Sequence, residues 1–227
     1  MTDQHSLDRP VWNALQTGWA ELAQGDARAL RLDPDYGPFG AAADSSSPSL
    51  EKLADLVPLD GELWVAEADD MLTPPGTIIV KASPLHQMVA SHLNPIEART
   101  DITPLGEADA LEMRELALLT QPGPFFALTH RLGDFVGVKR DGILVAMAGE
   151  RMKLDGFTEV SAVCTHPDHR GNGYAGALMS IVIERILARS ETAFLHSYSS
   201  NAGAILLYER LGFSLRRQIC VTVLSRG

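Results

Sequence analysis

Cysteine is scarce: Cys164 and Cys220 are the only two in 227 residues, too few for a disulfide framework. Their spacing matches no metal-ligand pattern, so no metal is expected, and the pair fits a reducing compartment. No uninterrupted apolar run approaches the roughly 18 residues of a membrane span. The opening MTDQHSLDRP has neither the basic start nor the apolar stretch of a secretory signal. The expectation is a cytoplasmic protein with no membrane contact. An excess of basic residues is missing as well, and a net charge of -10 argues against a nucleic-acid surface. Internal repeats and low-complexity tails are absent.

The acid is unevenly spread. Residues 1–97 hold 5 basic against 15 acidic side chains, whereas residues 98–227 hold 14 of each. An acidic half of this kind serves as a solubilising face, or helps to attract a cationic amine. A division near residue 97 is therefore expected, into an acidic N-terminal α/β region (1–97) and a second domain (98–227).

Along the first part, Val11, Trp12, Leu15, Trp19 and Leu22 fall at helical spacing and predict an amphipathic helix over 10–24. DPDYGPFGAAADSSSPS, residues 33–49, is rich in turn formers and reads as a loop. A short helix over 50–57 and strands over 62–68 and 77–82 follow, and PLHQMVASHLNPIEART reads as the lead into the second part. There, ITPLGEADALEMRELALL predicts a strand and a helix carrying Leu111, Leu118 and Leu119. DFVGVKRDGILVAMAGER predicts a hairpin turned at Asp141-Gly142. FTEVSAVCTH is a third β-run ended by Pro167. A long helix over 173–189, the strand TAFLHSY, a helix from Asn201 to a stop at Gly212 and the strand QICVTVL complete the pattern. The fold class is α/β or α+β, a sheet with helices on its faces.

HRGNGYAG, residues 169–176, spells G-x-G-x-x-G, the letters of a dinucleotide-binding turn. That fold needs an acid at the end of the next strand to hold a ribose, and further strand-helix units beyond. Here the next strand ends in His196-Ser197-Tyr198, and few residues follow. Phosphate chemistry still fits. Small residues let backbone N–H groups converge, a long apolar helix begins there with free amides and a positive dipole end, and Arg170 adds a cation.

EVSAVCTHPDHRGNGYAGALM resembles the acyl-CoA signature of the GNAT acyltransferase superfamily, whose Arg/Gln-x-x-Gly-x-Gly/Ala pattern is met by Arg170, Gly173 and Ala175. NAGAILLYERLGF, residues 201–213, resembles that superfamily's later helix. The resemblance covers residues 98–227, and the Val-Cys-Thr-His-Pro-Asp run is similar to the C-terminal domains of glycine N-acyltransferase-like proteins. Residues 1–97 bear a faint likeness to a degenerate second unit of the same kind, without a cradle. The resemblance implies a mixed, mostly antiparallel sheet flanked by helices, and acetyl-CoA as co-substrate.

By position in the motifs, the backbone of Val163, Cys164 and Thr165 would meet the pantetheine arm. The amides of Gly171, Asn172, Gly173, Tyr174, Ala175 and Gly176, with Arg170, would hold the pyrophosphate. Asn201 would cap its helix and reach the cofactor arm. The implied reaction is direct attack of a small-molecule or peptide amine on the thioester, which needs a base, an oxyanion donor and an acid. Tyr208 is the expected acid for the leaving thiolate and Glu159 the expected base, with His166, His169 and His196 as rivals. Cys164, inside an apolar strand, is expected to be inert. A CoA-binding regulator without turnover is the alternative. The presence of Tyr208 and Glu159 favours the enzyme. Acceptor identity and oligomeric state are not legible.

Overall fold

The structure, a computed structural model, describes residues 5–96 and 100–227. In chain order the elements are α1 (Pro10–Gln16), β1 (Ala23–Asp26), β2 (Ala29–Leu32), β3 (Gly40–Ala42), α2 (Ser47–Leu56), β4 (Leu63–Glu67) and β5 (Thr77–Ala90). Then come β6 (Thr103–Leu105), α3 (Ala110–Thr120), β7 (Phe135–Arg140), β8 (Ile143–Leu154), β9 (Phe157–Thr165), α4 (Tyr174–Ala188), β10 (Thr192–Tyr198), α5 (Ala202–Leu211) and β11 (Ser214–Arg226). An eight-stranded sheet runs β4-β11-β5-β10-β9-β8-β7-β6, and a small sheet β1-β2-β3 lies beside it. Within the large sheet only β9 and β10 pair in parallel. This is the mixed, mostly antiparallel sheet with flanking helices that the family resemblance implies.

Alternation in β10 shows how the layers form. Ala193 and Leu195 join the core under α4, made by Leu178, Val182, Ile183 and Ile186, while Phe194 faces the other way into the core of α1, Leu7 and Trp19. Each such aliphatic side chain buried contributes about 1.5–3 kcal/mol. In the β7–β8 hairpin, Asp141 (φ 51°) and Gly142 (φ 82°) both take the left-handed backbone that a primed turn requires.

The first part departs from expectation in three places. The helix predicted over 10–24 stops at Gln16. Gly18 N–H donates to the Lys153 carbonyl and Trp19 Nε1 to the Arg151 carbonyl, so the chain leaves the helix to bond the end of β8. Within the loop expected over 33–49, Gly40–Ala42 pairs with β2, and α2 begins at Ser47. The segment from Pro84 onward is not a linker but the second half of β5, held between β10 and β11. Pro84 lies just before the stretch of β5 that pairs with β10, so its missing N–H costs no bond there.

The expected boundary at residue 97 lies outside the described residues. On either side of it, β4 and β5 enter the same sheet as β6 to β11. On α3 the buried positions are Met113, Leu116 and Ala117, whereas Leu111, Leu118 and Leu119 are exposed. No helix among the described residues is long and apolar enough to cross a membrane.

Candidate active site

The site begins where the sheet comes apart. Thr192, Ala193 and Phe194 of β10 pair with Phe157, Thr158 and Glu159 of β9, and beyond that the two strands separate. A bulge in β9 prepares the gap: the register against β8 shifts between Met147↔Cys164 and Gly149↔Ser161, and Ala162 sits at φ 52°. A non-glycine residue in that region carries about 1–2 kcal/mol of strain.

Past β9, Pro167–His169 form a 3-10 turn, Arg170 is extended, and Gly171 (φ 82°) and Gly173 (φ 75°) bend the chain into α4. A Cβ at either glycine would meet nothing within 4 Å, so backbone angle and not space requires glycine there. Gly176 differs, since a Cβ would stand 2.8 Å from Ile96 Cδ1. Asn172 Nδ2 donates to the His169 carbonyl at 2.9 Å and stiffens the turn. The first-turn amides of α4, at Tyr174, Ala175 and Gly176, have no intrahelical acceptor and point out of the helix start. Tyr174 contributes only its backbone here. Its ring is buried, and its Oη accepts from Arg140 Nε at 3.1 Å. The donor set, a run of backbone amides with Arg170 exposed beside it, suits a diphosphate.

A cavity of about 1260 Å³ opens at the gap. Val163, Asn201 and Tyr208 line it, as do Phe39 and Trp64 from the first part of the chain and Phe125 from the loop after α3. Leu128 N–H donates to the Asp35 carbonyl at 2.8 Å and Thr129 Oγ1 to the Tyr36 carbonyl at 2.7 Å, which ties the two loops into one wall.

Tyr208 lies on α5 with its ring edge-on to Phe213. Burial pushes its hydroxyl above the ordinary tyrosine value, only partly offset by the Ser197 hydroxyl. It stays protonated and able to donate. Asn201 occupies the N-cap position of α5 and its side chain makes no capping bond, contrary to expectation. The residue is exposed and lines the cavity.

Glu159 is not the accessible strand carboxylate that a base would be. It is 1% exposed. Arg151 donates through Nε at 2.8 Å and Nη2 at 2.9 Å, and His196 Nδ1 lies 2.9 Å from its Oε1. Burial alone would raise its pKa, but the Arg151 charge, with the bonds from His196 and Arg151, outweighs burial and holds it at about 2. The Cys164 thiol is buried, and desolvation pushes it up to about 11, so it forms no nucleophilic thiolate near neutrality. His166 and His169 stack edge-on beside the 3-10 turn, and neither is among the residues that line the cavity.

Sequence reasoning missed Arg151, Phe39 and Trp64. Arg151 sits on a strand without any motif, and Phe39 and Trp64 are set side by side by a bridge between distant parts of the chain. Periodicity carries no signal for such long-range meetings.

Comparison with known proteins fits this geometry. The FR47-like protein family model matches residues 135–222. A GNAT-family structure from Novosphingobium aromaticivorans DSM 12444 is 46% identical, with 99% of this chain and 100% of that one covered and a TM-score of 0.91. A GCN5-related N-acetyltransferase from Kribbella flavida shares the fold at 20% identity, with 95% and 93% covered and a TM-score of 0.62. Mycothiol acetyltransferase from Corynebacterium aurimucosum is 35% identical over 66 residues, which span 29% of this chain and 22% of that protein.

Proposed function

The chain belongs to the GNAT family, and on that premise we propose that it moves an acetyl group from acetyl-CoA to an amine by direct attack in a ternary complex. The observation that carries this reading is the meeting, in one cavity, of the parted strands β9 and β10 with a half-buried, protonated Tyr208. In this reading the amides of residues 171–176 and Arg170 bind the pyrophosphate, and the β9 backbone at Val163, Cys164 and Thr165 pairs with the pantetheine arm. Asn201 contacts the arm beside them. Within the family, the Val163–Asp168 run supports a finer placement beside the glycine N-acyltransferase-like proteins.

The neutral amine nitrogen attacks the thioester carbonyl carbon and passes a proton to water, the carbon–sulfur bond breaks, the departing thiolate takes the Tyr208 proton, and water returns a proton to Tyr208. Glu159 does not serve as base here, because both its oxygens are engaged and its carboxylate is held far below neutrality. The ammonium proton leaves to water, and the acceptor reacts from its free-base form. Asp35, Asp60 and Glu62 line the same cavity together with Arg31, Arg114 and Arg151, so its wall offers partners to both charges of an acceptor that carries an amine and an anionic group. Residues 1–97 then act as a substrate-binding wall and residues 98–227 as the acetyl-CoA half of one unit.

The test is thiol release from acetyl-CoA against amines, amino acids and short peptides, alongside calorimetric binding of acetyl-CoA. Binding with turnover is expected. Binding without turnover on a broad panel would favour a regulator, and no binding would overturn the reading of residues 169–176.

A further inference from the structure

Behind the cavity floor runs a chain of buried polar groups that the reaction as described leaves unused. Gln87 of β5 is 0% exposed. Its Oε1 lies 2.7 Å from Arg216 Nη1, and its Nε2 lies 2.8 Å from the Leu7 carbonyl and 3.1 Å from His196 Nε2. Arg216 in turn donates to Asp8 Oδ1 at 2.6 Å.

These contacts allow one assignment of protons. A guanidinium only donates and a carbonyl only accepts, so the Gln87 oxygen must face Arg216 and its NH2 must face Leu7. The second hydrogen of that NH2 then points at His196 Nε2, which must be the acceptor. The imidazole proton is left on Nδ1, directed at Glu159 Oε1. Glu159 spends its remaining capacity on Nε and Nη2 of Arg151. Arg151 lies with its guanidinium 4.9 Å from the Phe39 ring centroid, and its Nη1 stands 3.8 Å from where a Cβ on Gly123 would be, in the cavity wall.

We propose that Gln87 is a positioning residue: it fixes His196 as the Nδ1–H tautomer and, through Glu159, aims Arg151 Nη1 into the cavity as a donor for the bound acceptor. This rests on the acetyltransferase reading for its use, though not for the tautomer. The charged groups around His196 are Glu159 from β9 and Arg151 from β8 on one side, with Arg216 from β11, Asp8 and His5 beyond Gln87 on the other. The segment before α1 is thereby wired to the floor of the site.

The experiment pairs nitrogen-15 NMR of the histidine side chains in the intact protein with kinetics of Gln87→Leu and Gln87→Glu. In the unsubstituted protein, His196 is expected as a neutral ring with Nδ1 protonated and Nε2 bare. Finding Nε2 protonated overturns the proposal before any variant is made, whether or not the protein turns over. Gln87→Leu removes the donor and should release the tautomer, raising the KM for the amine at least fivefold while the KM for acetyl-CoA holds. Gln87→Glu supplies an acceptor in place of the donor and should convert His196 to the doubly protonated ring. If Gln87→Leu keeps both the wild-type tautomer and the amine KM, Gln87 is structural and the proposal fails. It fails equally if the tautomer changes and the amine KM does not. Should the acetyltransferase assay itself fail, the NMR result still decides the tautomer.

Discussion

Tyr208→Phe keeps the ring that packs on Phe213 and removes only the hydroxyl. Turnover should fall at least about tenfold with little change in acetyl-CoA affinity, because the lost interaction belongs to the departing thiolate. In the unsubstituted enzyme, kcat/KM should rise with pH as the acceptor loses its proton. It should fall again only above the ordinary tyrosine range, since burial raises the Tyr208 value; a pH profile of both proteins checks this, and an unchanged rate removes Tyr208 from the chemistry. Glu159 is the opposite kind of residue. Its folded pKa of about 2 lies below the ordinary 4.5, so it stabilises the fold above that ordinary value and the stabilisation is lost as pH falls from about 4.5 toward 2. Glu159→Gln strands a largely buried Arg151 and should cost about 3–5 kcal/mol, with a flatter acid limb, measurable by urea unfolding at several pH values.

At the scale of elements, the start of α4 is the part whose conformation is most exposed to substitution. Gly173→Ala forces an L-residue to φ 75°, where space is open but the backbone is not. The strain of about 1–2 kcal/mol should weaken acetyl-CoA binding by about five- to thirtyfold, read by calorimetry. Gly142→Ala is the matched control, with the same kind of φ at 82° and open space, and should lower stability without touching binding. The glycine turn into α4 was legible in the sequence because it is local: glycine spacing and the helix that follows are contiguous. The β7–β8 hairpin was legible for the same reason, through Asp141-Gly142. The second half of β5 was not, since Pro84 and a short polar stretch argue for a linker and only the strands on both sides make Leu85–Ala90 a strand. Periodicity overextends helix α1 because Trp19 and Leu22 keep the helical spacing while the Gly18 N–H and the Trp19 indole N–H are claimed by β8. Nor did the spacing tell which face of α3 is buried; its exposed leucines show that apolar does not mean inside.

For the whole molecule, the change of charge balance near residue 97 and the pairing of strands describe different things. Acidity describes a surface, whereas the sheet is defined by pairing, and β5 pairs with β10 and β11 across that change. A fragment beginning at residue 100 would leave facing edges of β10 and β11 with no strand between them. It should show no cooperative thermal transition, whereas the intact chain should unfold in one; calorimetry on both decides it. The same insertion dictates an order of events during translation. Leu85 leaves the ribosome long before Ile219, its partner, exists. Until β11 emerges, residues 77–83 of β5 present an open edge, even after β10 has paired with Leu85–Ala90. Slow synthesis or high expression lengthens the time during which that edge can find one on another unfinished chain.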